Sequence, residues 1–150
     1  MTVDDPTLTI ARLCRVLECS TAAGLTLPQY RVLGLLAGGD ERASLLARRV
    51  SVAKPTLTAI VDSLFERGFV AREIPDGDRR SIRLSITDSG RSQLRKAADE
   101  FRGVLDEVLA ECADPDAVLD ALAALGDALD ERWLQRVAKE ELVASEAGRR

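Results

Sequence analysis

The chain has 150 residues, of which 46% are hydrophobic; this suffices for one folded domain with a buried core and excludes a disordered chain. Aromatic residues make up only 3%, so leucine, valine and alanine must fill that core. The net charge of −4 excludes a uniformly basic protein, but positions 42–83 hold nine Lys and Arg against five Asp and Glu, a local excess of +4 that leaves −8 for the remainder. A local surface for phosphate therefore remains possible.

No stretch of the sequence approaches the ~20 consecutive apolar residues that a membrane-spanning helix needs. The N-terminus carries Asp4 and Asp5 instead of the basic and apolar regions of a signal peptide, so we expect a cytoplasmic protein without a membrane segment. The sequence has no histidine, no nucleophile motif and no glycine-rich phosphate loop. We therefore expect neither an enzyme nor a bound cofactor.

The first predicted helix covers residues 7–22, and its apolar face consists of Ile10, Leu13, Cys14 and Leu17. A small cysteine on such a face is commonly a core residue, so Cys14 is expected to pack inside the protein. The chain has three cysteines, an odd number that argues against a disulfide framework. Without histidine a metal site would need cysteine and carboxylate ligands alone, and none is predicted.

The second predicted helix begins after Thr26, whose hydroxyl can cap it while Gln29 completes a capping box. Pro28 suits the first turn of this helix, and the Gly-Gly-Asp run at 38–40 ends it. Residues 44–50 then form a short amphipathic helix. This order indicates two helices that pack on the element that follows them.

The helix predicted from Lys54 to Arg67 carries most of the functional argument. Its apolar residues recur at helical spacing and must pack inward; they are Leu57, Ile60, Val61, Leu64 and Phe65. The opposite side is polar, and the uncapped N–H groups of its first turn attract phosphate. That side begins with Lys54, Pro55, Thr56 and Thr58.

Charged residues flank this helix at both ends. Arg48 and Arg49 crowd the turn before it, where a surface that contacts the DNA backbone is expected. The alternative reading of these arginines is an ordinary solvated surface. Glu66 and Arg67 lie in the last turn and are interpreted as solvent-exposed charges, before Gly68 ends the helix.

Two strands joined by a Pro-Asp-Gly turn are predicted at 69–74 and 81–86. Their inward residues alternate with polar ones and are Phe69, Ala71, Ile82, Leu84 and Ile86. Arg79, Arg80 and Arg83 follow the turn, and a flexible basic loop can reach the minor groove of DNA, where arginine suits the narrow electronegative channel. The alternative is an ordinary charged hairpin tip.

Two long helices are predicted at the end of the chain, at 89–112 and 117–143, separated by Asp114 and Pro115. Both carry apolar stripes longer than the preceding segment can cover. A second copy of the chain could bury these stripes, whereas the alternative is that the two helices pack only on each other. Residues 146–150 are expected to fray.

Several segments occur in an order and spacing typical of one family. They are 27–33 (LPQYRVL), 46–58 (LARRVSVAKPTLT), Val61–Leu64 and Gly68–Val70, followed by Asp78, Arg80, Leu84, Ile86, Thr87 and Gly90. The sequence thus resembles a MarR-type winged-helix transcriptional regulator, closely over residues 25–92 and by helix pattern outside them.

This resemblance implies a homodimer that places its fourth helix in the major groove of double-stranded DNA and a wing arginine in the minor groove. It also implies a pocket for a small, apolar or aromatic effector beside the dimerisation helices. The residues expected to contact DNA are Arg48, Arg49, Lys54, Pro55, Thr56, Thr58, Arg79, Arg80 and Arg83. Asp78 is expected to support the wing by pairing with a nearby arginine.

The expected fold is mainly α with a small β-hairpin wing. A single MarR-like domain would cover residues 1–150, with a winged helix-turn-helix lobe at 26–90 and helical dimerisation regions at 4–24 and 88–145. The first helix is shorter than is usual in the family. Ser51 replaces the usual turn glycine and Ala53 the usual capping residue, a loss worth ~1 kcal/mol to a helix.

The expected function is that of a dimeric repressor that reads a pseudo-palindromic operator and responds to a small effector. One alternative is a thiol-based redox sensor, because the segment around Cys14 is similar to the first helix of the organic-peroxide-sensing branch. Tyr30 matches one tyrosine of that branch, but Leu27 stands where another would be. The other alternative is a winged-helix module that binds protein instead of DNA.

Overall fold

The computed structural model describes residues 5–20, 23–39, 41–50, 52–74 and 82–147. This part of the chain forms six helices and three short strands. In chain order they are α1 (Pro6–Cys19), α2 (Leu27–Ala37), β1 (Glu41–Arg42), α3 (Ala43–Val50), α4 (Lys54–Glu66), β2 (Val70–Glu73), β3 (Arg83–Ile86), α5 (Asp88–Leu109) and α6 (Pro115–Ala147). The prediction of a mainly helical protein with a small sheet is confirmed.

The chain divides into two compact units, residues 1–107 and 108–150. The core of the first unit is aliphatic, as the composition requires, and helices α2 to α4 pack in it against the sheet. Its largest fully buried side chains are Leu25, Leu33, Leu36, Leu46, Leu64 and Leu84. Ala97 and Phe101 bring α5 into the same core. Burial of this apolar area is the main term that stabilises the unit.

Helix α2 begins with the predicted capping box. The N–H of Gln29 donates to Oγ1 of Thr26 at 3.4 Å, and the N–H of Thr26 donates to Oε1 of Gln29 at 3.0 Å. The amide of Gln29 also donates to Oγ of Ser63 at 3.1 Å, which ties the start of α2 to α4. Gly38 ends the helix at the predicted place.

The sheet has three antiparallel strands in the order β1-β3-β2, one more than was predicted. Val70 pairs with Ile86, and the buried residues of the sheet are Val70, Leu84 and Ile86. The assignment of Ala71 to the inner face was therefore wrong, since it is only half-buried; Phe69 precedes the strand and packs, partly buried, against the core. Gly68 adopts φ +73, and the turn it makes delays the strand to Val70, which reverses the parity of inward residues.

Ile82 was also wrongly assigned to the inner face, since 41% of its surface is exposed. Its carbonyl oxygen accepts from the N–H of Ala43 at 3.0 Å, beyond the last strand pair, Arg42 with Arg83. The hydrogen bonding between the start of α3 and β3 thus involves the backbone at Ile82, whose side chain remains partly exposed.

Helix α1 ends at Cys19, three residues before its predicted end. Leu17 packs against the core, and Leu13 is half-buried, whereas Ile10 and Cys14 are exposed. The expectation that Cys14 packs in the core of this chain is wrong. The reason is that α1 packs against the core cluster near its C-terminal end, and Cys14 lies one turn earlier.

The second unit contains the end of α5 and all of α6, with the chain break at Asp114 and Pro115 as predicted. Asp114 also caps α6, because its Oδ1 accepts from the N–H of Ala117 at 3.0 Å. Several leucines of α6 are exposed, namely Leu119, Leu125, Leu129 and Leu134. None of the helices within the described ranges is both long enough and apolar enough to cross a membrane.

Candidate nucleic-acid interface

The first turn of α4 has a polar, exposed side and an apolar, buried side. Lys54, Pro55, Thr56 and Thr58 are exposed, while Leu57 between them is 4% exposed. Ala53 is the N-cap residue and makes no side-chain hydrogen bond to the helix, as its small side chain requires. The first N–H groups of α4 therefore lack a side-chain cap, and the helix dipole adds partial positive charge there.

Thr58 uses part of its hydrogen-bonding capacity inside the helix. Its hydroxyl donates to the carbonyl oxygen of Lys54 at 3.0 Å. Both lone pairs of the hydroxyl oxygen remain able to accept, and Thr58 is exposed. A ligand at this position would thus meet an acceptor and a small apolar surface.

The predicted basic residues of the helix-turn-helix lie on α3 and α4. Arg48 is exposed and Arg49 is half-buried, both in the last turn of α3. Each of these arginines also interacts with another group of the protein. Together with Lys54 they place positive charge at the end of α3 and the start of α4.

The wing contributes Arg83, which is exposed on β3 opposite Glu73 of β2. The other wing assignments, Asp78, Arg79 and Arg80, lie outside the described residues. The pairing of β2 with β3 places the two ends of the wing turn next to each other.

An ion pair between α4 and the sheet was missed by sequence reasoning. Arg72 of β2 donates from Nη2 to Oδ1 of Asp62, and its guanidinium carbon lies 4.8 Å from the centre of the Phe65 ring. Phe65 was predicted to face inward, but 47% of its surface is exposed. It lies at the margin of the apolar stripe of α4, and the arginine of the sheet covers it. No pattern in the sequence links residues on two different elements in this way.

A shallow cleft of about 120 Å³ lies between α4 and the sheet. Thr58, Asp62 and Arg72 line it together with apolar side chains such as Leu57 and Leu84. The cleft thus brings one of the predicted DNA-contacting residues, Thr58, next to the ion pair that was not predicted.

Arg67 was interpreted as a solvent-exposed charge; it is exposed, but it also makes contacts that this interpretation did not include. Its Nη1 donates to the carbonyl oxygen of Gly24 at 3.0 Å, and its guanidinium lies 4.7 Å from the centre of the Phe69 ring. Gln93 and Glu100 of α5 hold the backbone of neighbouring Ala23. Arg67 is therefore part of the structure that fixes the connection between α1 and α2.

Comparison with known proteins shows which family this chain is similar to. Residues 23–81 match the model of the MarR family. The repressor YetL of Bacillus subtilis is 36% identical over 76 residues, or 49% of this chain and 46% of YetL, so the chain spans less than half of that relative. The helix-turn-helix regulator ML2140 of Mycobacterium leprae is 35% identical over 100 residues, or 65% of this chain and 69% of that protein.

A solved structure extends the likeness to the fold. The Mycobacterium tuberculosis transcriptional regulator MosR, solved in complex with DNA, is 30% identical, with a TM-score of 0.61 over 85% of this chain and 98% of that one. The family model covers the segment that contains α2 to β2. The chain belongs to the MarR family, whose members are transcriptional regulators and not enzymes.

Proposed function

We propose that this protein is a homodimeric repressor that binds double-stranded DNA through α4 and its wing. The observation that carries the proposal is the exposed first turn of α4, which has no side-chain cap. The helix itself packs on a core of fully buried leucines. Such a turn can enter a major groove without loss of the core packing. The wing arginines would then follow the backbone into the adjacent minor groove.

The distribution of charge along the chain supports DNA binding by α4 and the wing. The overall charge is −4, but residues 42–83, which include α3, α4 and the wing, carry +4. Phosphate contacts by these residues would release counterions from the DNA, so affinity would fall steeply as salt rises. The acidic remainder of the chain would repel DNA and limit binding in other orientations.

The residues proposed to contact bases are Thr56 and Thr58 on α4. Threonine can donate or accept a hydrogen bond and can pack its methyl group on that of thymine. Because the Thr58 hydroxyl already donates to Lys54, it is limited to accepting a bond or to apolar contact. Lys54 and Arg48, which are exposed nearby, would contact phosphate and position the helix.

The exposed apolar residues of the long helices support a dimer. In α6 they are Leu119, Leu125, Leu129 and Leu134, and in α1 they include Leu8, Ile10 and Val16. A second copy of the chain would bury such surfaces, and two-fold symmetry would place two recognition helices on half-sites about 34 Å apart. The operator would then be a pseudo-palindrome.

Similar proteins also support the proposal of a DNA-binding repressor. YetL is named as a repressor, and MosR was solved in complex with DNA. We further propose that a small apolar effector modulates DNA binding, since the core available to line a pocket is aliphatic. Titration of such compounds into the protein–DNA complex would test this, and a series without any release would contradict it.

Selection of bound duplexes from a random-sequence library by the purified protein tests the proposal. We expect enrichment of a two-fold related sequence, a dimer by light scattering, and an affinity that declines with salt. Thr56→Ala should change the selected sequence, whereas Lys54→Gln should weaken all duplexes alike. Ser89→Ala, at an exposed serine of α5, is the matched control for loss of a hydroxyl and should bind as the parent does. Absence of enrichment, or binding that salt does not affect, would favour a protein-interaction module.

A further inference from the structure

We propose that Arg72 is a positioning residue for DNA binding: it neutralises and holds the carboxylate of Asp62 on the side of α4 that faces DNA. The inference rests on the proposed function, since it concerns the same helix. Arg72 acts through Asp62 and is not itself proposed to contact DNA.

Asp62 lies on the DNA-facing side because of its spacing along α4. It follows Thr58 by four residues and Pro55 by seven, so all three share one stripe of the helix. Its side chain is 48% exposed, and it lines the cleft beside Thr58. A carboxylate at this place would meet the negative potential of a bound duplex.

The charge of α4 alone is unfavourable for DNA. Its ionisable residues are one cation, Lys54, and two anions, Asp62 and Glu66. Arg67, which follows the helix, is bonded to Gly24 and stacked on Phe69, away from this stripe. The cation that compensates Asp62 therefore comes from the sheet, as Arg72.

Two contacts fix the guanidinium of Arg72 against α4. It donates to Oδ1 of Asp62 and lies over the ring of Phe65, 4.8 Å from its centre. The backbone of Arg72 is itself held in register opposite Leu84, a fully buried residue of β3. A cation–π contact and an ion pair on neighbouring turns of one helix leave the group little freedom to move.

Removal of Arg72 should expose Asp62 as an unpaired anion next to phosphate. Like charges placed together at a binding interface oppose association strongly, and salt screens the repulsion. Neutralising Asp62 as well should remove the repulsion. A purely structural role of Arg72 in holding the sheet would show no such rescue.

The test measures binding of the duplex selected by the parent protein, and of one random-sequence duplex, at low and high salt. Arg72→Gln should weaken both about tenfold at low salt and less at high salt. Arg72→Gln combined with Asp62→Asn should return to within about twofold of the parent, because the pair is again neutral. Arg72→Lys should retain most of the affinity, since it keeps the charge. It is the variant to measure if Arg72→Gln does not fold.

Several results would overturn the inference. A double variant as weak as Arg72→Gln would show that Arg72 contacts DNA itself or only supports the sheet. An Arg72→Lys variant as weak as Arg72→Gln would exclude the charge as the cause. Arg95→Gln, on exposed Arg95 of α5, is the matched loss of one positive charge, and an equal loss there would make the effect one of net charge. A parent that binds neither duplex would refute the proposed function itself.

Discussion

The backbone of Gly90 packs directly on the carbonyl group of Phe69. A side chain at position 90 would overlap the carbonyl oxygen of Phe69, and its Cβ would lie 2.9 Å from Cγ1 of Ile86. Gly90 is in the first turn of α5, and Phe69 is in the turn that leaves α4. The start of α5 therefore fits against the end of the helix proposed to read DNA, at a place where only glycine fits.

Gly90→Ala should destabilise the protein by about 3 kcal/mol, because the backbone oxygen of Phe69 cannot move aside as a flexible side chain could. The midpoint and slope of urea unfolding measure the loss. Gly103→Ala, in the same helix, is the control: a Cβ there meets no atom within 4 Å, and helix propensity should add about 0.5–1 kcal/mol. Equal stability of the two variants would contradict the contact at Gly90.

Thr87→Val should cost about 1–2 kcal/mol, since the hydroxyl of Thr87 joins two elements. It accepts from the N–H of Gly90 at 3.0 Å and donates to the carbonyl oxygen of Gly68 at 2.7 Å. Valine has the same shape without the hydroxyl, whereas Thr87→Ser retains both bonds and should remain near the parent. Thermal unfolding of the two variants separates them, and a valine variant as stable as the serine variant would show that the two hydrogen bonds of this hydroxyl do not stabilise the protein.

Ala23→Gly should stabilise the protein by about 1 kcal/mol. Ala23 adopts φ +49, a left-handed conformation that costs a residue with a Cβ but not glycine. Gly24 adopts φ +70, and Gly24→Ala should lose a similar amount. Chemical denaturation measures the free energy of unfolding of both variants, which should rise for Ala23→Gly and fall for Gly24→Ala. A loss of stability in Ala23→Gly would show that the strain at this turn is absent.

Arg80→Ala should weaken binding to any duplex and lower the slope of log affinity against log salt by about 0.9, the contribution of one phosphate contact. Fluorescence anisotropy over a range of salt concentrations gives this slope. Arg95→Ala, at an exposed arginine of α5, is the control for loss of one charge. Parent-like affinity and slope in the Arg80 variant would remove this residue from the interface.

The elements that depend on local signals could be predicted from the sequence. The capping box of Thr26 and Gln29 is complete within four residues, and the periodicity of α4 correctly placed Leu57, Val61 and Leu64 in the core. Gly68 ends α4 as expected. Each of these features is decided by neighbours in the chain, which is why a single sequence contains the information.

The remaining features depend on contacts between distant residues. A shift of one residue after Gly68 decided which residues of β2 face inward, and alternation alone could not detect it. Strand β1 has two residues, too few for any pattern. The contact of Arg72 with Asp62 and Phe65 forms only because β2 folds back on α4. The sequence does not show this contact, so it was not predicted.

The position of β3 between β1 and β2 has a consequence for hydrogen exchange in the sheet. At Arg83 and Leu84 the backbone of β3 is paired along both edges, whereas β2 is paired in this sheet along one. Amide hydrogens of β3 should therefore exchange with deuterium more slowly than those of β2.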